Sequence, residues 1–249
     1  MSRTCPNREP APLTTVALIG DCDLRKPSHR ELHAVRGQLG TDVGAQWVAT
    51  DSTRMGDLSE FNGIWLAPGS PYADEAAVVE AISWARRNDV PFLGTCSGMQ
   101  YAVIELFRNV LGESGASHEE AAGRSADNVV TALACSLQGQ LRTVRPLAGT
   151  RFASLVGGRE FDGMHYCSYA PDLQQLERLT AAGLLIEATA DDAGAEVVHW
   201  PAARFFYASM FQPQIGASSG APLHPLVAAF ADAARQHRRE TLALNTTGS

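Results

Sequence analysis

Short apolar runs alternate with amphipathic stretches of helical period through the first half of the chain, and this alternation restricts the fold more than any other feature. Val16-Ala17-Leu18-Ile19, Gln46-Trp47-Val48-Ala49 and Ile64-Trp65-Leu66-Ala67 have the length and composition of strands, while residues 28–39 and 74–87 carry apolar positions at helical spacing. This rhythm predicts βαβ units around a parallel sheet, because parallel neighbours need a crossover long enough to hold a helix. Ligands of such sheets bind beyond the carboxyl ends of the strands, which is where Pro68-Gly69-Ser70-Pro71 falls.

The same logic singles out Gly94-Thr95-Cys96-Ser97-Gly98-Met99-Gln100. The run Val90-Pro91-Phe92-Leu93 reads as a buried strand, and Met99, Val103, Leu106, Phe107 and Val110 continue at helical spacing. Cys96 therefore sits on a sharp strand-to-helix turn, which projects its thiol outward as a nucleophile. The N–H groups and dipole of the following helix favour a thiolate and an adjacent oxyanion. The plainer alternative is a small buried hydrophobe, the common fate of intracellular cysteines. The flanking glycines and the change of period favour the nucleophile.

The second half is richer in strand patterns, at residues 129–134, 184–188, 196–199 and 205–211, and a closing helix is expected from Pro225 to about Glu240. Residues 112–128 read as a surface loop near the site. The expected fold is α/β, a mostly parallel sheet flanked by helices with an added antiparallel region. A single domain over 15–240 is expected between disordered ends at 1–14 and 241–249.

A net charge of -7 offers no basic face to nucleic acid or an anionic membrane. Lys26 is the sole lysine among the 20 basic residues, a bias that suggests a GC-rich bacterial genome. The 5 cysteines are scattered without paired spacing, so no metal site is expected and reduced thiols in a cytoplasm are the simplest account. The first residues lack the apolar core of a secretory signal, and no apolar stretch reaches membrane-spanning length.

Over residues 16–234 the chain resembles the class I glutamine amidotransferases, and within them the glutaminase domain of CTP synthase. The segments carrying the likeness are Val16-Ala17-Leu18-Ile19-Gly20, Gly63-Ile64-Trp65-Leu66-Ala67-Pro68-Gly69, the elbow, Ala102-Val103-Ile104-Glu105, Arg108-Asn109-Val110 and residues 222–234. The elbow differs chiefly by Ser97 where leucine is common. The resemblance implies a flavodoxin-like fold and a Cys96 that attacks a glutamine amide. It also implies an oxyanion hole from the N–H groups of Gly69 or Ser70 and of Ser97, and substrate contacts from Gly98, Gln100, Glu119, Glu120, His165 and Tyr166. It further implies a partner synthase that receives ammonia.

The catalytic Phe-His-Pro-Glu of the family corresponds to Phe211-Gln212-Pro213-Gln214. A carboxamide has no titratable site near neutral pH, so Gln212 cannot move the proton that amide hydrolysis requires. Ordinary glutaminase activity is not expected. The segment Phe161-Asp162-Gly163-Met164-His165-Tyr166 also lacks the arginine of its counterpart. His118, His165 and Glu120 are candidate substitute bases, each weighed against a solvated loop position. Cys167, two residues from His165, is a weak candidate for a second nucleophile. His199 reads as a satisfied sheet histidine and His224 as a helix cap, whereas His29, His33 and His237 read as helix-surface residues.

Three functions stand open on the sequence. The first is a cysteine hydrolase or acyl or amido transferase acting on a small amide, ester, carbonyl or nitrile in a specialised biosynthetic pathway. The second is a glutaminase subunit with a substitute base that feeds a partner synthase, and the third is a non-catalytic binding or regulatory module. All imply a small-molecule ligand and no cofactor, and a homo-oligomer is compatible with each.

Overall fold

The computed structural model describes residues 14–51, 58–192 and 194–247. The chain runs through β1 (Thr14–Ile19), α1 (Pro27–Val35), β2 (Val43–Val48), β3 (Gly63–Leu66), α2 (Glu75–Arg87), β4 (Phe92–Thr95) and α3 (Ser97–Asn109). There follow β5 (Ser117–His118), α4 (Glu119–Ala122), β6 (Asn128–Ala132), β7 (Gln140–Pro146), α5 (Arg151–Leu155) and β8 (Phe161–His165). The last part holds β9 (Tyr169–Pro171), α6 (Leu173–Ala181), β10 (Leu185–Ala190), β11 (Gly194–His199), β12 (Phe206–Ser209) and α7 (Pro225–Thr247).

A 9-stranded sheet has the order β2-β1-β3-β4-β12-β11-β10-β7-β8, and a separate 3-stranded sheet joins β5, β6 and β9. Pairing is parallel from β2 through β12 and antiparallel from β11 outward, the mixed α/β architecture expected. Both faces of the parallel part are covered. In β1, Val16 and Leu18 pack into one apolar cluster with Leu226 and Phe230 of α7, and Ala17 and Ile19 into another with Val103 of α3. Period-two alternation on a strand buried on both faces produces that division. Each fully buried aliphatic side chain contributes about 1.5–3 kcal/mol.

The helix that follows the candidate nucleophile is tied to its neighbour α2. Arg86 of α2 donates to the fully buried Glu105 of α3 through Nη2 at 2.8 Å and Nε at 3.1 Å. Asp74 accepts the N–H of Ala77 at 2.9 Å, and this cap starts α2 where the sequence placed it.

Some expectations change. Residues 112–128, read as a loop, contain β5 and α4. The closing helix continues to Thr247, so the tail expected to be disordered from 241 is helical that far, with the Thr241 hydroxyl donating to His237 O at 3.0 Å. The expected disordered N-terminus lies outside the described residues, save for Thr14, which opens β1. Among the described residues, no helix is long and apolar enough to cross a membrane.

Candidate active site

Cys96 follows β4, whose sheet neighbours are β3 and β12, and it adopts φ 56° and ψ -112° before α3 begins at Ser97. A non-glycine residue in this region costs about 1–3 kcal/mol, and the surrounding packing must hold it there. Its N–H donates to Ser209 O at 2.7 Å, which pins the elbow to the end of β12. The neighbouring glycines serve that packing. A Cβ on Gly94 would lie 2.6 Å from Gly98 O, and one on Gly98 2.6 Å from Leu66 O, so α3 can lie directly against β3 and β4 only with glycine at both positions. Gly98 thus packs the elbow and is not among the residues that line the cavity beside Cys96.

The elbow opens on a cavity of about 520 Å³ lined in part by Lys26, Gly69, Ser70, Cys96, Ser97 and Gln100. Glu120, Tyr166, Cys167 and Gln212 complete the polar wall. The Cys96 thiol is held below its ordinary pKa of 9.0. The largest cause is a hydrogen bond from the Cys167 thiol, and the Ser97 N–H, the Gln212 amide and the positive charge of His165 add to it against the opposing effect of burial. Cys96 Sγ also approaches Tyr166 O at 3.9 Å.

The oxyanion loop departs from expectation. Ser97 Oγ accepts the N–H groups of Gly69 at 2.8 Å and of Ser70 at 3.3 Å, and it lies 3.0 Å from the Tyr72 hydroxyl. The donors expected to face an oxyanion are thereby held by the elbow's own serine. The loop is braced by His29, which sequence reasoning placed on a helix surface. Its Nδ1 accepts the Asp23 N–H at 2.9 Å, so Nε2 carries the proton and donates to Pro68 O at 2.6 Å. The ring is fully buried. A helical pattern marks which face of α1 turns inward, and no local signal told that the bond would reach a loop beyond β3.

The proposed substitute bases divide. His118 is buried and lies outside the Cys96 cavity. Its Nδ1 accepts the Glu120 N–H at 3.0 Å and its Nε2 faces Gln100 Oε1 at 3.0 Å, leaving a neutral ring whose pKa burial lowers to about 4. Gln100 in turn donates to Tyr169 O at 2.6 Å. His165 is fully buried behind the cavity wall, with Nδ1 3.0 Å from Gly163 O and Nε2 2.9 Å from Glu196 Oε1. Gly163 O accepts, and an ionised Glu196 accepts as well, an arrangement that favours the doubly protonated ring. Burial opposes that charge, but Glu196 outweighs it and holds the pKa above 6.5. In that form the ring has no lone pair for the thiol proton. Of the three, Glu120 alone faces the cavity; Glu119 turns away to accept the Ala132 N–H at 3.0 Å.

Gln212 and Gln214 occupy the end of the chain segment beyond β12. Gln214 Nε2 donates to Gln212 Oε1 at 2.8 Å, and Gln212 Nε2, buried at the cavity wall, has no hydrogen bond of ordinary geometry. Elsewhere the readings hold. His199 sits on β11 with Nδ1 2.8 Å from Glu187, and His224 Nδ1 accepts the Leu226 N–H at 3.1 Å to cap α7.

A thiol elbow at the carboxyl edge of a parallel sheet, beside a loop of backbone donors, defines a family, and comparison with known proteins agrees. The family model described as glutamine amidotransferase class-I matches residues 26–152, and the chain belongs to that family. It is 30% identical over 212 residues to the CTP synthase of Staphylococcus aureus, a match covering 80% of this chain and 39% of that enzyme. The solved glutaminase domain of Trypanosoma brucei CTPS, with bound acivicin, is 25% identical, covers 90% of this chain and 94% of its own, and superposes with a TM-score of 0.73. A glutamine amidotransferase from Thermotoga maritima, 14% identical with a TM-score of 0.58 over 90% of this chain and 85% of its own, shares the fold.

Proposed function

We propose that this chain is a cysteine-dependent enzyme in which Cys96 adds to a small electrophilic carbon, of an amide, ester, carbonyl or nitrile, without the histidine relay of its relatives. The observation that carries this reading is the pairing of a Cys96 thiol held below its ordinary pKa with a Gln212–Gln214 hydrogen bond where the relay would be. A thiol whose ionisation is favoured by its surroundings depends less on a base at the moment of attack. The Nε2 of Gln212, buried at the cavity wall beside Cys96, is a donor for the thiolate or for an acceptor atom of the substrate. Ester and thioester cleavage, or addition to a nitrile, fit best, because no amide anion has to be expelled. Lys26 and Glu120 offer one charge of each sign to orient the ligand. A role in a specialised biosynthetic pathway is part of the proposal.

A second reading is a glutaminase that supplies ammonia to a partner synthase, favoured by Glu120, a carboxylate facing the cavity. Incubation with glutamine, with acivicin and with activated esters separates the two. Turnover of an ester without ammonia release from glutamine supports the first reading. Ammonia release abolished by Glu120→Gln supports the second, and turnover unaffected by Cys96→Ala defeats both.

A further inference from the structure

The cavity holds a second buried thiol, to which neither reading gives a chemical step. Cys167 lies between β8 and β9, is buried, and lines the same cavity as Cys96, and the carbonyl oxygen of the preceding residue, Tyr166, is 3.9 Å from the Cys96 sulfur. Both segments are tied together on the other side of Cys167 as well, where Tyr169 O accepts from Gln100 Nε2 at 2.6 Å on the first turns of α3. Cys22 and Cys135, by contrast, are exposed and single.

We propose that Cys96 and Cys167 form a dithiol–disulfide redox couple, with a small hydroperoxide as its oxidant. The Cys96 thiolate attacks the distal peroxide oxygen; an S–O bond forms, the O–O bond breaks, and the alkoxide or hydroxide leaves with a proton. The sulfur of Cys167 then attacks the sulfur of the Cys96 sulfenic acid. An S–S bond forms, the S–O bond breaks, and hydroxide departs with the Cys167 proton as water. Two thiols and one peroxide give one disulfide, one alcohol or water, and one water, a two-electron change. The contact favours the order of events. Cys96 carries the lowered pKa and is the attacking thiolate, whereas the thiol that donates to it is held well above its ordinary value and waits protonated as the resolving group. This inference shares with the proposed function only the premise that Cys96 is a reactive thiolate.

The test treats the full chain with hydrogen peroxide, caps residual thiols with N-ethylmaleimide in denaturant, and maps the cysteines by mass spectrometry. The expected product is a Cys96–Cys167 linked peptide, two hydrogen atoms lighter than the dithiol and reversed by dithiothreitol. It persists in Cys22→Ser and Cys135→Ser and is lost in Cys167→Ala, where Cys96 advances to sulfinic acid. Sulfinic acid on Cys96 of the unaltered protein with Cys167 still a thiol overturns the inference, as do disulfides that involve only other cysteines. Alkylation of Cys96 by iodoacetamide, measured in parallel, separates the two claims. A reactive Cys96 that forms no disulfide defeats the redox couple alone, and an inert Cys96 defeats the proposed function as well.

Discussion

The hydroxyl of Ser97 accepts the backbone N–H of Gly69 at 2.8 Å, so the residue after the nucleophile occupies a donor that an oxyanion needs. Leucine, common at this position in the resembling family, has no acceptor to offer. Ser97→Ala leaves the packing of a 1% exposed side chain nearly unchanged and frees the Gly69 and Ser70 N–H groups. A single oxyanion donor is worth roughly 10²–10³ in rate where it is fully used. We expect Ser97→Ala to speed acylation of Cys96 by an activated ester, up to about 10²-fold. An unchanged or slower rate, followed by mass spectrometry, contradicts this role.

The contact between Cys167 and Cys96 predicts a shift in ionisation. Cys167→Ala removes the largest cause of the lowered Cys96 pKa and leaves the opposing burial in place. The pH profile of Cys96 alkylation is expected to move upward, toward or beyond 9.0. A profile that stays in place assigns the thiolate to the Ser97 N–H, Gln212 and His165 instead.

The Gln212–Gln214 pair predicts a gain of function. Gln212→His with Gln214→Glu supplies a titratable ring and a carboxylate at two positions already in hydrogen-bond contact at 2.8 Å. General acid–base catalysis contributes typically about 10²–10⁴-fold, so ammonia release from glutamine is expected to rise by at least about 10² in the double variant. The single Gln214→Glu change is expected to add nothing, since no ring is present to orient.

The His165–Glu196 pair predicts a pH dependence of stability. The folded pKa of His165 is raised above 6.5, so the pair's contribution is fully present below 6.5 and is lost as pH rises through the raised value. The urea midpoint of the unaltered protein is therefore expected to fall relative to that of His165→Gln as pH climbs from about 6 to 9. Removing one partner of a buried pair costs about 3–5 kcal/mol, and this loss in the variant is expected to be largest at the acidic end. A difference that grows with pH contradicts the imidazolium assignment.

The sheet and its helices were legible because strand and helix periods are local properties. The continuous apolar run at Val16–Ile19 and the cap at Asp74 carry their own instructions. The elbow was legible for the same reason, as two glycines and a change of period within seven residues. What the chain hid is contact between distant segments. Glu196 reaches His165 from β11, and His29 braces Pro68 from α1. Neither partner has a neighbour in sequence that names the other. Ser97 was visible as a departure from its relatives, but its effect depends on where the loop after β3 folds back. The tail looked like a frayed end by composition, and residues 241–247 continue a helix whose preceding turns are already packed, which removes the cost of a new nucleus.

The central claim is that Cys96 is a nucleophile with a lowered pKa that does not draw on a relay at positions 212 and 214. Limiting iodoacetamide, applied across a pH series and read cysteine by cysteine with Cys96→Ala as control, tests it most directly. Exposed Cys22, whose pKa is raised by partial burial and by Asp23, is an internal reference. The account predicts that Cys96 reacts before Cys22 at neutral pH, with a midpoint below 9.0. A Cys96 that stays unlabelled while Cys22 and Cys135 react, or that titrates at or above 9.0, would contradict it.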